Sequence, residues 1–380
     1  EAFLDLVTAV AQHWHVVLLI DALNQLDPRA WRDQSWMPAG RANIRLIATA
    51  IAGRASERLL EAHVGVEARE LPALEADEAG EIAAAACARY RKTLASDVLE
   101  ALKRHPSAGN ALWLRMAIDE LLLLDADDFE TAQTQYADRP ADEQLPAYMA
   151  HRVTDIFPTD VPGMYGHLLE RLEERFGTET VGAFALAIAL SRSGWREQGL
   201  RALVPRLGGH WDDAVGANLR RGFRLHLIRH GDPPAWDFFH PVAREAVLAR
   251  YPASEDERRA QHAQIAAYLA ELPDEDPIAA HERMHHLIEA DDIPAAAAFY
   301  TELSKNNLAH APASQSIVER IIEDEGATKN NIGLTLAERL LDHACDVPQE
   351  WRALPQKLTF DVLDQIRGKV SNATARGLMD

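Results

Sequence analysis

The chain has 380 residues, 59 acidic against 39 basic side chains, a formal charge of −20 and 47% hydrophobic residues. Single hydrophobic cores stop growing near ~250 to 300 residues, so more than one domain is expected. The acidic excess repels phosphate backbones and disfavours non-specific nucleic-acid binding, and no apolar run approaches the ~18 to 20 residues that span a bilayer, so no membrane partner is expected. Cys87 and Cys345 lie far apart and neither sits in a CxxC pair, which fits a reducing, cytoplasmic compartment with no disulfide framework.

The chain opens on Glu1 inside a helical pattern, Phe3, Leu4, Leu6, Val7, Val10 and Ala11, and reads as a portion of something longer. Val16-Val17-Leu18-Leu19-Ile20 follows, then Ile44 to Thr49 and Val64 to Glu67. These are apolar rather than alternating runs, the pattern of parallel strands covered on both faces, and helical stretches precede each of them. The fold class expected is mainly α with an N-terminal α/β remnant, residues 1–74 being the C-terminal part of an α/β domain.

From Glu75 the periodicity turns helical, with Leu114, Ala117, Ile118, Leu121 and Leu122 on one stripe. Breaks are expected at His105-Pro106, Arg139-Pro140 and Phe157-Pro158, because the residue before proline is driven out of the helical region. Gly177 ends a helix and closes a segment, 75–177. Residues 178–252 read as two helices, Glu197 to Leu207 and Trp211 to Arg221. A hairpin of Phe223 to Ile228 and Trp236 to Phe239 follows around Gly231-Asp232-Pro233-Pro234, the order of a winged helix. Residues 253–380 are Ala-rich and helical, punctuated by Pro273, Pro277, Pro294, Pro312 and Pro348, and fit stacked helical hairpins that offer a protein partner an extended surface.

Asp21 stands at the carboxyl end of the first strand, where open α/β folds bind ligands and where a carboxylate holds Mg²⁺ through water. Asp21-Ala22-Leu23-Asn24-Gln25-Leu26-Asp27 resembles the Walker B segment of the STAND class of signal-transduction NTPases, the NACHT and NB-ARC proteins and their bacterial relatives. Asn43 to Thr49 is similar to their sensor strand, Leu71-Pro72-Ala73-Leu74 to their passage into a helical lid, and Pro106 to Leu114 to their Gly-Asn-Pro-Leu lid motif. Phe238 to Glu245 is similar to their winged-helix segment. The resemblance covers residues 1 to about 290 and rests on the ordered set. It implies a partial P-loop NTPase sheet, helical lid, winged helix and α-helical array. It also implies ATP/ADP and Mg²⁺ as cofactors, with Asp21 as the metal residue, Thr49 and Arg54 facing the γ-phosphate, Asn110 in the lid loop near adenine and His240 on the β-phosphate of ADP. The function implied is a nucleotide-gated switch that assembles into a homo-oligomer.

Two departures bear on activity. The positions after Asp21 where efficient ATPases place an acidic catalytic residue are Asn24 and Gln25, which cannot act as bases, so slow or absent hydrolysis is expected. No GxxxxGK[ST] occurs among the 380 residues, so on their own they are expected to bind nucleotide weakly and to be inactive. The lid motif also carries Ala111 in place of proline.

Alternatives stay open. His281-Glu282-Arg283-Met284-His285 is an HExxH sequence, the spacing that sets two imidazoles and a Glu base on one helical face beside a zinc, with Glu302 or Glu319 as a distal third ligand. A non-catalytic α-helical interaction scaffold is the other. DNA reading by the winged helix is disfavoured, since the helix that would enter the groove begins Trp211-Asp212-Asp213. Arg152, Arg171, Arg175 and Glu170, Glu173, Glu174 read as a solvated charged face.

Overall fold

The computed structural model describes residues 2–23, 43–50, 67–230, 234–252, 254–273 and 276–305, with single positions at Ala313, Ser316, Ile317, Arg320, Thr335 and Leu336. The chain divides into two units, Glu1–Ala73 and Leu74–Asp380.

In the first unit α1 (Ala2–Ala11) packs against β1 (Val16–Ile20), and β1 pairs in parallel with β2 (Ile44–Ala48), Val16 opposite Ile44 and Ile20 opposite Ala48. The expectation of strands covered on both faces is corrected: Val17, Leu19 and Ile47 are exposed, and exposure alternates along both strands. Side chains of a strand point alternately to its two faces, so covering one face leaves every second residue open. Residues 64–66 of the third expected strand lie outside the described residues, and Glu67 is not in a strand.

The second unit is helical where the sequence supplies caps and stops. Its first helices are α2 (Ala76–Ala88), α3 (Ser96–Arg104), α4 (Ala111–Leu122), α5 (Ala126–Gln135) and α6 (Ala141–His151), the last running into a π turn, Arg152–Ile156. They stop or start at His105, Pro140 and Phe157, the residues at or before the prolines. Then come α7 (Val161–Phe176), α8 (Thr178–Leu190), α9 (Glu197–Arg206) and α10 (Asp213–Gly222). Gly177, at φ +80°, separates α7 from α8. Asp125, Asp160 and Asp212 accept backbone N–H groups at the first turns of α5, α7 and α10.

The hairpin is β3 (Leu227–His230) against β4 (Ala235–Phe238), antiparallel, with Leu227 opposite Phe238. Its first strand starts later than the sequence suggests, because Phe223 N donates to Leu219 O and extends α10, and the ring is buried. Trp195 and Trp236 exchange backbone hydrogen bonds of 3.0 and 2.8 Å, tying the α8–α9 loop to β4. After the hairpin follow α11 (Pro241–Arg250), α12 (Glu255–Leu269), α13 (Pro277–Glu289) and α14 (Ile293–Lys305). From α11, Arg244 donates to the carbonyls of Ile188, Ala189 and Ser191 at the C-terminus of α8 and pairs with Asp237 at 2.7 Å. One core runs from Ala79 in α2 to Leu269 in α12, and a second joins α12, α13 and α14 through Ala266, Met284, Leu287, Phe299 and Leu303.

The solvated-face reading of the arginines is corrected in part. Arg152 is buried and meets Asp128 at 3.2 Å and Glu120 at 3.7 Å, while Arg171 forks onto Glu120 at 2.9 and 3.0 Å. Glu173 holds Arg250 at 2.7 Å and accepts from Tyr251. These pairs join different helices, which periodicity along one helix does not reveal.

Candidate functional site

Among the described residues, chemistry-bearing side chains gather at two places, one in each unit. In the first, Asp21 follows β1 and Thr49 follows β2, so parallel pairing brings both to the carboxyl edge of the strands. Thr49 Oγ1 donates to Asp21 Oδ1 at 2.5 Å and accepts from Ala22 N at 2.7 Å, while Leu23 N donates to Thr49 O at 2.9 Å. Ala22 has φ 53°, a left-handed conformation costly for a residue with a Cβ. Asp21 and Thr49 are both exposed, so a carboxylate and a hydroxyl face solvent side by side. Oxygen donors of this kind suit a hard cation such as Mg²⁺. Asn24, Gln25 and Arg54 lie outside the described residues.

The other two nucleotide-site candidates belong to the second unit. Asn110 is the N-cap of α4, its Oδ1 accepting from Leu112 N and Trp113 N at 3.0 Å each. The preceding Pro106-to-Gly109 turn is held by His105, whose ring stacks on Trp113 at 3.9 Å, and by Ser107, whose hydroxyl donates to Thr159 O. His240 is half-buried at the start of α11, with its ring edge against Phe239.

The second place lies where α12 and α13 pack. Within HExxH, Glu282 is not placed as a zincin base: it is fully buried and turned onto the α8–α9 loop. It accepts from Arg192 N at 3.1 and 3.0 Å, from Ser193 N at 2.7 Å and from the Ser193 hydroxyl. Such a carboxylate is spent on backbone donors and has no access to water, so it is not a general base. Glu302 is exposed, and the side chain of His281 and Glu319 lie outside the described residues. Burial pushes the Glu282 carboxyl up, but the His286 ring 3.5 Å away and the Ser193 and Arg192 donors outweigh it and leave it lowered to about 2.

The histidines that do converge are His262 from α12 and His285 and His286 from α13, each offering a ring nitrogen within 4.8 Å of the other two. Nδ1 of His262 lies 2.8 Å from Nδ1 of His286, Nε2 of His286 lies 3.5 Å from Glu282 Oε2, and Nε2 of His285 lies 3.3 Å from Leu190 O. His262 and His286 are buried. Burial, with the neighbouring rings, lowers His262, and lowers His285 to about 3 against the opposing charge of Glu282. The sequence pointed to His285 through HExxH. It gave no sign of His262, which a different helix supplies.

In the segment whose order of elements reads as a winged helix, Asp212 caps α10 through Val215 N at 2.7 Å and Asp213 pairs with Arg201 at 2.7 Å, so carboxylates stand at the start of that helix. No helix among the described residues is long and apolar enough to cross a membrane. Comparison with protein-family models, with curated proteins and with solved structures found no match.

Proposed function

We propose that the chain is part of a nucleotide-dependent signalling switch of the STAND NTPase class, in which ATP or ADP governs assembly through a helical lid and winged helix. The observation that carries this reading is the Asp21–Thr49 hydrogen bond of 2.5 Å at the carboxyl ends of paired parallel strands. Residue types and order match a Mg²⁺-holding Walker B carboxylate beside a sensor hydroxyl. Bound Mg²⁺-nucleotide would supply the charge whose loss or gain shifts the switch between two states. Asp21 would hold the cation through water, and Thr49 would orient the carboxylate and read the terminal phosphate. Asn110 and His240 belong to the lid and winged-helix portions of the same reading, in which Asn110 acts mainly by fixing the lid loop through its cap. Helices α12 to α14 would present the surface for a protein partner.

The reading requires a phosphate-binding loop that the 380 residues do not contain. Translating the gene upstream of the Glu1 codon tests it. A GxxxxGK[ST] sequence ~60 or more residues before Asp21, two strand-helix units away, is the expected result. A start codon immediately before Glu1 would contradict it and leave the non-catalytic helical scaffold, a reading favoured by the continuous helical core from α2 to α12.

A further inference from the structure

We infer that His262, His285 and His286 bind one transition-metal dication of the zinc class, which clamps α12 to α13. Three imidazoles with ring nitrogens within 4.8 Å of one another form a donor set suited to zinc, copper or nickel and unsuited to calcium or magnesium. The surroundings treat these rings as ligands. A metal-bound histidine gives its second N–H to a carboxylate or a backbone carbonyl, which fixes the tautomer and the ring. His286 Nε2 faces the Glu282 carboxylate and His285 Nε2 faces Leu190 O, so in both rings Nδ1 is the nitrogen left for a cation. His286 Nε2 is fully buried and has only that carboxylate, at 3.5 Å, to answer it.

The His262–His286 contact of 2.8 Å is a hydrogen bond in which one Nδ1 carries the proton. A cation between the two rings takes both Nδ1 lone pairs, and the ring that carried the Nδ1 proton holds it on Nε2 instead, so two neutral imidazoles become ligands with no net proton released. Tetrahedral zinc with bonds near ~2.0 Å sets its nitrogen ligands ~3.3 Å apart. The 2.8 Å pair would open by about 0.5 Å, and a separation of 4.8 Å would close by about 1.5 Å. Nearby cations are already answered: Arg320 pairs with Glu289, Arg258 with Glu255, and Arg192 donates to Ser316. With three protein ligands the fourth position falls to water. Glu282 is held by Arg192 and Ser193, so the site is a clamp between helices and not a hydrolase.

The test is a zinc titration of the chelator-treated 380-residue protein, followed by calorimetry and thermal unfolding, with His262→Ala and His281→Ala beside the wild type. The expected result is one zinc per chain and a rise in the thermal midpoint. His262→Ala should weaken affinity by about a hundredfold or more, and His281→Ala should leave it unchanged. No stoichiometric zinc in the wild type would overturn the proposal. So would loss of zinc in His281→Ala with retention in His262→Ala, the pattern of HExxH. Should His262→Ala not fold, X-ray absorption of the wild-type zinc complex decides: three imidazole ligands support the clamp, and fewer than three overturn it.

Discussion

Glu282 shows how one residue's surroundings reassign its chemistry. A motif that spells a water-activating base is instead a bracket between α13 and the α8–α9 loop, accepting from two consecutive backbone N–H groups. Truncation strands those donors in a dry interior, so Glu282→Ala should destabilise by roughly 3 kcal/mol or more in urea unfolding; a change under about 1 kcal/mol would show that the loop finds other acceptors. His226 makes a separate case. It is buried beside Tyr165, its Nδ1 3.3 Å from the phenol oxygen. Burial first, then the charges of Arg171, His240 and Arg115, lower it to about 4. A histidine with a depressed folded pKa is protonated first in the unfolded chain, so stability is lost as pH falls from about 6.5 towards 4, by about 3 kcal/mol for this one group. His226→Gln should flatten that acid limb, read as the difference in unfolding free energy between pH 7 and pH 4.5. Asp119 works in the opposite sense, because burial, opposed by Arg115, raises it to about 6, and its protonation on acidification relieves a cost.

At the scale of elements, much of the architecture was legible. The helix limits at His105, Pro140 and Phe157 follow from proline sterics, and the Val16–Ile20 and Ile44–Ala48 strands follow from apolar runs. The hairpin was legible only in part, because the aromatic Phe223 reads as strand while its ring belongs to the helical core. Long-range partnerships were not legible. Arg152 with Asp128, Arg244 with the end of α8, and His262 with α13 join residues that no periodicity relates. The placement of the candidate residues divides similarly: that Asp21 and Thr49 stand at strand ends was readable from the apolar runs before them, whereas the helix cap made by Asn110 was not read. Asn110→Ala should cost about 1 kcal/mol, and Asn110→Ser should restore most of it, since either side chain caps α4. Gly194 is a stricter requirement. At φ +73°, a Cβ there would stand 2.2 Å from Trp236 O, inside the Trp195–Trp236 bridge. Gly194→Ala should therefore lower stability by roughly 3 kcal/mol and alter tryptophan fluorescence, through both strain and loss of the bridge.

Over the whole molecule, the division at Ala73/Leu74 means that the helical unit carries its own cores. A fragment of residues 74–380 should unfold cooperatively at the thermal midpoint of the same helices in the full chain; failure to fold would show that residues 1–73 complete its core. The central functional claim belongs to this scale too, because a switch needs both units. Its most direct measurement is calorimetric titration of Mg²⁺-ADP and Mg²⁺-ATP into the full product of the gene, with Asp21→Asn and Thr49→Val compared. The account predicts stoichiometric nucleotide binding whose Mg²⁺-dependence falls at least about tenfold in Asp21→Asn, about 1.4 kcal/mol, with a smaller loss in Thr49→Val. Absence of binding by the full product, or binding indifferent to Asp21, would contradict it.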